Sequence, residues 1–225
     1  MVATCFLTGV PPPCERRDCA LRWYDEANCL KEDLINMNKE EARKIFKEKR
    51  KELSAAERAK ADDLMLIQFQ KVDLPQINHL LSYWPIEENH EPNTHLFNGY
   101  VEFKSPAIKF LYPKSDFVKQ EMEAIGVDAD TAFQKNAWNI HEPMDGTVTD
   151  AGVIDMVFVP LLIFDKKGYR IGYGRGYYDK YLQQCRADCL KVGFCYFEPV
   201  DKIEGTHEFD VPLDFCITPN NVYVF

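Results

Sequence analysis

Short runs of apolar and β-branched residues recur along the chain between residues 79 and 218, separated by polar or loop-forming segments. The runs are HLLSYW, AIKFLYP, VIDMVFVP, LKVGFCY and FCIT. The intervening segments, such as SDFVKQEMEAIG and GYYDKYLQQCRA, are compatible with helices or loops. Strands that alternate with helices are typical of α/β proteins, in which helices cover a parallel sheet. The sequence therefore predicts an α/β fold with a mainly parallel sheet.

Two helices are predicted before the first of these strands. Asn38 can cap a helix over residues 39–53, whose first turn is acidic and whose last turn is basic, as the helix dipole favours. Ser54 and Glu57 stand in capping-box register at the start of a second helix, which ends before Pro75. From the helical and strand patterns we assign these apolar residues to the core: Phe46, Leu64, Ile67, Phe110, Val157, Phe158 and Val192.

Residues 1–36 differ in character from the rest of the chain. They contain three consecutive prolines and show no sustained helical or strand periodicity. We interpret them as an appendage, either disordered or a gene-model extension with Met37 as the true start of translation, in preference to a functional tail. The remaining residues, 37–225, are predicted to form a single α/β domain.

Charge and cysteine usage narrow the classes of partner. The 225 residues include 27 Lys and Arg against 36 Asp and Glu, a net charge of −9, which disfavours nucleic acid and anionic membranes as partners. No apolar run approaches the roughly 18 residues that span a bilayer, and the N-terminus lacks the basic region of a secretory signal. The eight cysteines include no CxxC pair. We expect reduced thiols in a cytoplasmic monomer that acts on small molecules.

Glycine and arginine are concentrated in FDKKGYRIGYGRGYYDKYL, residues 164–182, directly after a predicted strand. Glycines let backbone N–H groups approach a ligand closely, and the start of the next helix adds partial positive charge. Arginine side chains can bond phosphate oxygens, and a nearby aspartate can hold Mg²⁺ against them. The spacing matches neither the dinucleotide-binding G-x-G-x-x-G nor the Walker loop. A phosphate-binding site is therefore favoured over a turn that only joins a strand to a helix.

The same segment, RIGYGRGYYDKYL with FDKKGYR before it, resembles the signature of the 5-formyltetrahydrofolate cyclo-ligase family. Five other segments of the chain are also similar to that family and occur in the order that the family has: KEEARKIFKEKRKELSAAER, LLSYWPIEENHEPNTHLF, NAWNIHEP, VIDMVFVPLLIFD and HEFDVPLDFCIT. The resemblance covers about residues 37–218. It implies a three-layer sandwich around a mainly parallel sheet, related to the sugar-phosphate isomerase and CoA-transferase folds.

The activity implied by the resemblance is the conversion of 5-formyltetrahydrofolate to 5,10-methenyltetrahydrofolate, with ATP as co-substrate and Mg²⁺. The γ-phosphoryl group activates the formyl oxygen, N10 closes the ring, and ADP and phosphate are released. Such a reaction needs cations around a transferring phosphoryl group and oriented substrates more than it needs a protein nucleophile.

The resemblance also implies which residues carry the reaction. Lys39 and Arg43 correspond to N-terminal ATP contacts, although their spacing alone favours a solvated basic face. The other expected ATP contacts are Arg170, Gly172, Gly174, Arg175, Gly176 and Tyr177, and the expected catalytic residues are Arg175 and Tyr178. Asp179 and Asp210 correspond to Mg²⁺ ligands, with Asp214 as a rival to Asp210. The expected folate contacts are Glu91, Trp138, Tyr177 and Tyr178.

Two alternative functions stay open at this point. A non-catalytic paralogue would keep the phosphate site and bind nucleotide or folate as a signal or cargo. A related ligase would apply the same ATP-dependent chemistry to another formyl or amide substrate. The segment between Pro85 and Glu91, which is longer than the family pattern, keeps that second alternative open because it precedes a predicted folate contact.

Overall fold

The structure is a computed structural model that describes residues 38–225. The predicted appendage, with Met37 and four of the cysteines, lies outside the described residues. The other four cysteines, which are Cys185, Cys189, Cys195 and Cys216, are free thiols.

The described residues form four α-helices: α1 (Lys39–Glu52), α2 (Ala55–Phe69), α3 (Thr94–Lys104) and α4 (Tyr177–Leu182). Asn38 accepts hydrogen bonds from the N–H groups of Glu40 and Glu41, and the Glu41 carboxylate accepts one from the Asn38 N–H. Ser54 and Glu57 cap α2 in the same reciprocal way. The two predicted helices and their caps are confirmed.

Strands are short and numerous in the described part of the chain. They are β1 (His79–Leu81), β2 (Lys109–Asp116), β3 (Glu121–Gly126), β4 (Phe133–Lys135), β5 (His141–Pro143), β6 (Thr147–Thr149), β7 (Met156–Phe158), β8 (Ile163–Phe164), β9 (Arg170–Ile171), β10 (Leu190–Phe194), β11 (Phe215–Ile217) and β12 (Val222–Val224). Eight of them form one sheet in the order β12-β11-β10-β7-β1-β2-β3-β6. The pairs from β11 to β2 are parallel, and the edge pairs are antiparallel. The predicted α/β fold, with a mainly parallel sheet flanked by helices, is confirmed.

One intervening segment was expected to be a helix or a loop and is a strand instead. SDFVKQEMEAIG contributes β3, which pairs antiparallel with β2 after a turn held by Asp116. Met122 and Ala124 are buried on β3, whereas Glu121 and Glu123 are exposed. This alternation is the period of a half-buried strand, and it extends over too few residues to stand out in the sequence.

The core lies on both faces of the parallel strands. Of the predicted core residues, Phe46, Val157, Phe158 and Val192 are buried, while Leu64 and Phe110 are partly exposed. The prediction for Ile67 is wrong, because its side chain is 51% exposed. Met65 and Phe69 direct α2 toward the core, and a residue two positions from each lies on the opposite side of a helix. Among residues 38–225, no helix has the length and apolar character needed to cross a bilayer.

Candidate active site

The glycine-rich segment runs from β9 through residues 172–176 into α4. Gly174 and Gly176 have φ angles of +87° and +74°, a left-handed conformation that other residues adopt only with strain. A Cβ atom on Gly174 would lie 2.9 Å from Cζ of Arg43, whereas a Cβ on Gly176 would meet nothing within 4 Å. Because α4 has only six residues, its dipole is small, and we attribute the positive charge of this region mainly to side chains.

Helix α1 brings Arg43 to this segment and Lys39 to the predicted metal ligand Asp210. Nε of Arg43 donates to the carbonyl oxygen of Gly172 at 3.2 Å. Nζ of Lys39 lies 2.7 Å from Oδ2 of Asp210. The two cations therefore face other predicted site residues and do not form the solvated basic face that their spacing alone favoured.

Arg170 and Asp179, which flank the glycine-rich segment in sequence, form an ion pair. Nη2 of Arg170 lies 2.8 Å from Oδ1 of Asp179, and Nη1 donates to the carbonyl oxygen of Val211. The N–H of Val211 also donates to Oδ1 of Asp179, at 3.2 Å. The Arg170 side chain is only 5% exposed, so its guanidinium joins β9, α4 and the loop that carries Asp210.

The three carboxylates considered for Mg²⁺ differ in their surroundings. Burial opposes ionisation of Asp210, but hydrogen bonds from Lys39 and the His207 N–H outweigh it, and its pKa is lowered. Asp214, the rival, pairs with Lys191 at 2.8 Å and shares no hydrogen-bond partner with Asp179 or Asp210 among the described residues. Within residues 38–225, no cluster of three or more acidic, His or Cys side chains is arranged to hold a metal.

Asp179 and Asp210 each have one carboxylate oxygen left over after their ion pairs, and such an oxygen could bind Mg²⁺. The contacts above engage Oδ1 of Asp179 and Oδ2 of Asp210, and the second oxygen of each carboxylate makes no hydrogen bond or ion pair among the described residues. Mg²⁺ is commonly bound by one or two carboxylates together with substrate phosphates and waters. These two residues fit that pattern.

Glu91 is buried beside the glycine-rich segment. Its Oε2 accepts a hydrogen bond from the Ile86 N–H at 2.8 Å, and its Oε1 accepts one from the hydroxyl of Tyr173. Burial raises the pKa of the Glu91 carboxyl, while the positive charge of Arg50 acts in the opposite direction. Burial distinguishes Glu91 from a solvated surface glutamate such as the nearby Glu88, which is exposed.

The hydroxyl of Tyr178 is a buried polar group that makes no hydrogen bond within the described part of the chain. Burial raises its pKa far above the ordinary value, and the Glu91 charge adds to that effect. An unsatisfied buried hydroxyl costs about 1–3 kcal/mol, a cost that a ligand group could remove by bonding to it. The hydroxyl of Tyr178 is therefore free to bond a ligand, and the buried hydroxyl of Tyr181 on the same helix also lacks a partner among the described residues.

Arg175 and Trp138 face each other at the exposed side of the site. The Cζ atom of Arg175 lies 4.4 Å from the centre of the Trp138 ring, a cation–π contact. Phe117 packs edge-on against the same ring, with 4.3 Å between centroids. Trp138 is 40% exposed, so it is available for stacking and is not a core residue.

Two residues of the site were not singled out from the sequence. Arg50 lies in a run of charged residues that resembles a solvated helix face, and Tyr173 lies between two glycines as one of several aromatics. Both contact each other and the surroundings of Glu91. Their placement depends on the packing of α1 against the glycine-rich segment, for which the sequence carries no local signal.

Comparison with known proteins decides the family. The family model described as the 5-formyltetrahydrofolate cyclo-ligase family matches residues 35–219. The chain belongs to this family. Among curated cyclo-ligases, the enzyme of Mycoplasma pneumoniae is 32% identical over 186 residues, which cover 80% of this chain and 98% of that protein. The mouse cyclo-ligase is 38% identical over 90 residues, or 37% of this chain and 44% of the mouse protein.

Two solved structures of the family also resemble the fold of this chain. The structure of 5,10-methenyltetrahydrofolate synthetase from Aquifex aeolicus superposes with a TM-score of 0.69 at 28% identity, covering 84% of this chain and 93% of that one. The synthetase from Mycoplasma pneumoniae gives a TM-score of 0.64 at 27% identity, covering 81% and 99%. The cyclo-ligase family thus accounts for both the sequence signature and the sheet topology.

Proposed function

We propose that the protein converts 5-formyltetrahydrofolate to 5,10-methenyltetrahydrofolate, using ATP and Mg²⁺ and releasing ADP and phosphate. One observation supports this activity most strongly. The buried carboxylate of Glu91 and the unpartnered hydroxyl of Tyr178 lie beside the glycine-rich segment, which contains Arg175 and is contacted by Arg43, while Lys39 pairs with the nearby Asp210. Buried polar groups for a heterocycle next to cationic side chains for phosphates suit a reaction between a folate and ATP.

The chemistry needs two transfers at the formyl group. The formyl oxygen attacks the γ-phosphorus of ATP, the bond to the β-phosphate oxygen breaks, and ADP leaves. N10 then attacks the activated carbon, the bond from that carbon to the phosphorylated oxygen breaks, and phosphate leaves. N10 loses its proton as the ring closes. Positioning and charge stabilisation by the protein account for most of the rate in phosphoryl transfers of this kind.

The cationic residues would hold the phosphates of ATP. Arg43 and Lys39 approach from α1, and Arg175 is an exposed residue of the glycine-rich segment itself. The open space beside Gly176 and the left-handed backbone of Gly174 leave room for phosphate oxygens near backbone N–H groups. Gly172 and Tyr177 would complete this contact surface. Arg170, which is buried against Asp179, would shape it from below.

Mg²⁺, when bound, would neutralise charge on the transferring phosphoryl group. Asp179 and Asp210 would hold it through the carboxylate oxygens that their ion pairs leave free. Arg170 and Lys39 orient these two carboxylates at 2.8 Å and 2.7 Å, respectively.

The folate would be bound by groups on the other side of the glycine-rich segment. A carboxylate only accepts hydrogen bonds, and the pterin ring offers several N–H donors, so Glu91 suits its recognition. The Tyr178 hydroxyl can donate to the formyl oxygen or to a ring nitrogen. Trp138, which is partly exposed, and Tyr177 offer flat surfaces for a planar part of the ligand.

A different formyl or amide substrate is the second candidate. A short 3-10 turn, Glu87–Asn89, and a left-handed His90 with φ of +50° precede Glu91 and shape its approach to the site. A changed recess at this point would select a different heterocycle while leaving the phosphate side intact. A cytoplasmic location and a monomeric state also remain predictions.

The test is an assay of methenyl product by its near-ultraviolet absorbance, with ATP omitted as a control. The matched pair of variants is Glu91→Gln and Glu88→Gln, since Glu88 is exposed on the same turn and pairs with Lys135. We expect the KM for the folate to rise at least about tenfold in Glu91→Gln and to be unchanged in Glu88→Gln. Equal kinetics in the two variants would remove Glu91 from its proposed role.

A further inference from the structure

Arg50 is completely buried, although it lies in a stretch of α1 that is otherwise rich in exposed charge. Its Nη2 donates to the carbonyl oxygen of Leu161, and its Nη1 donates to the hydroxyl of Tyr173 at 3.2 Å. Its Nε is buried and makes no hydrogen bond within residues 38–225. A buried guanidinium is costly unless an opposite charge compensates it. The neutral partners of Arg50 do not supply that charge.

The compensating charge is that of Glu91. The hydroxyl of Tyr173 accepts a hydrogen bond from Arg50 and donates one to Oε1 of Glu91, so a single phenol oxygen joins the cation to the anion. The charge of Arg50 favours the ionised form of Glu91, and the charge of Glu91 favours the ionised form of Arg50. The three side chains come from α1, the glycine-rich segment and the loop after β1.

Charged groups also lie near this network besides Arg50 and Glu91, among them Arg58 and Asp62, and burial raises the pKa of Asp62 to about 6. The hydroxyl of Tyr196 donates to Oδ1 of Asp62 at 2.9 Å and lies 3.4 Å from the backbone oxygen of Glu91, so Asp62 faces the Glu91 backbone and not its carboxylate.

The tyrosines and the thiol around this network are neutral near pH 7. Tyr83, Cys195 and the hydroxyl of Tyr178 are buried, and burial raises the pKa of each well above neutrality. His90, which directly precedes Glu91, has its Nδ1 3.3 Å from the backbone oxygen of Arg50 and 3.1 Å from Nη1 of Arg58. Arg50 is therefore the buried cation joined to Glu91 by hydrogen bonds.

We propose that Arg50 is a positioning residue, which orients the Tyr173 hydroxyl and holds Glu91 in place as an acceptor-only carboxylate for the substrate. The inference rests on the proposed function, in which Glu91 binds the folate. It goes beyond that function because Arg50 contacts neither ATP nor folate in it. Arg50 acts on the substrate through Tyr173 and Glu91.

The consequence is a specific pH dependence. Burial alone raises the pKa of the Glu91 carboxyl, and both the Arg50 charge and the Tyr173 hydrogen bond lower it. Loss of either contribution would let Glu91 take up a proton at higher pH. A protonated carboxyl has lost its negative charge, and one of its oxygens has become a donor, so it accepts hydrogen bonds from the pterin less strongly and substrate binding would weaken as the pH falls.

The experiment compares Arg50→Met, Tyr173→Phe and the control Arg58→Met, which changes a partly buried arginine that contacts His90 and the Leu53 carbonyl instead of Tyr173. We expect kcat/KM for the folate to fall roughly 100-fold at neutral pH in Arg50→Met, since one partner of a buried charge pair is lost. The acidic limb of its pH profile should move up by about one pH unit or more. The KM of Arg50→Met for ATP should change little. The acidic limb of the pH profile of Arg58→Met should stay where it is in the wild-type protein.

A uniform loss of rate at every pH, with the acidic limb in its wild-type place, would show that Arg50 is only structural and would overturn the proposal. Should Arg50→Met fail to fold by circular dichroism, Tyr173→Phe decides. Its acidic limb should move in the same direction by a smaller amount, and an unmoved limb would overturn the proposal.

A separate readout keeps this proposal distinct from the proposed function. The ionisation of Glu91 can be followed by NMR of the ¹³C-labelled carboxyl, assigned by its loss in Glu91→Gln. We expect the Glu91 titration to move to higher pH in Arg50→Met, whether or not the protein forms methenyl product. An unchanged titration would contradict the coupling of Arg50 to Glu91. Absence of product in the wild-type protein would contradict only the proposed function.

Discussion

Arg170 and Asp179 are joined by an ion pair that closes the glycine-rich segment at its base, with 2.8 Å between Nη2 of the arginine and Oδ1 of the aspartate. Arg170 precedes Gly172, Gly174 and Gly176 in the sequence and Asp179 follows them, so the ion pair joins the two ends of the glycine-rich segment. This places Asp179 at the start of α4 facing the loop of Asp210, where the Val211 N–H also reaches it.

The Asp179→Asn variant tests the metal role of this carboxylate. We expect the Mg²⁺ concentration for half-maximal activity to rise about tenfold or more, because Mg²⁺ prefers anionic oxygen ligands. Asp214→Asn is the matched comparison, since Asp214 pairs with Lys191 and not with Arg170 or Lys39. An Mg²⁺ titration curve that shifts for Asp214→Asn and not for Asp179→Asn would reverse the assignment.

Gly174→Ala tests the close approach of α1 to the glycine-rich segment. The added Cβ would lie 2.9 Å from Cζ of Arg43 on a backbone with φ of +87°. Arg43 must then move, and we expect the dissociation constant for ATP, measured by calorimetry, to rise at least about tenfold. Gly205→Ala carries the same kind of backbone strain at φ of +70° with open space around it. Equal ATP affinity in these two variants would show that strain alone explains the effect.

Arg175→Ala tests the cation proposed to act on the transferring phosphoryl group. Arg175 is exposed and its contact with Trp138 is a surface one, so the free energy of unfolding should change by less than about 1 kcal/mol. Loss of a group that stabilises transition-state charge should lower kcat by about 100-fold or more. Chemical denaturation and steady-state kinetics give the two quantities. Wild-type turnover in a folded variant would exclude Arg175 from catalysis.

Much of the fold and part of the site could be predicted from local patterns. The capping boxes at Asn38 and Ser54 and the apolar runs of the parallel strands are local signals, and the structure has them where they were expected. Ile67 and β3 could not be predicted in this way. The apolar face of α2 and the strand character of β3 depend on what packs against them, which the sequence does not state.

In the site, too, some residues carry a local sequence signal and others depend on packing. The glycines and arginines of the segment 168–176 stand close together in sequence and could be recognised. The network of Arg50, Tyr173 and Glu91 joins side chains separated by 123 and 82 positions, and it forms only when α1 packs against that segment. Its members look like an exposed basic residue, a loop aromatic and a surface acid when taken one at a time.

Asp62 gives the stability a defined pH dependence. Burial raises the pKa of this carboxyl to about 6, although hydrogen bonds from Tyr196, at 2.9 Å, and from the Asn93 N–H oppose the shift. The folded-state pKa lies above that of the unfolded chain, so the stabilising contribution is complete below a pH of about 4. It is lost as the pH rises through about 6.

The Asp62→Asn variant lacks this titration. The free energy of unfolding of the wild-type protein, relative to the variant, should therefore fall by about 2 kcal/mol between pH 4 and pH 7.5. Urea denaturation of both proteins at each pH measures the difference. A difference that stays constant, or that grows with pH, would show that Asp62 is ionised throughout and that its burial has little effect on its pKa.

The most direct measurement of the central claim is the stoichiometry of the reaction. Purified protein would be incubated with 5-formyltetrahydrofolate, ATP and Mg²⁺, and the methenyl product and ADP would be quantified together. We predict one ADP for each methenyl product, and no product when ATP is omitted. A folded sample that binds ATP but forms no methenyl product, with or without release of ADP, would contradict the proposed reaction.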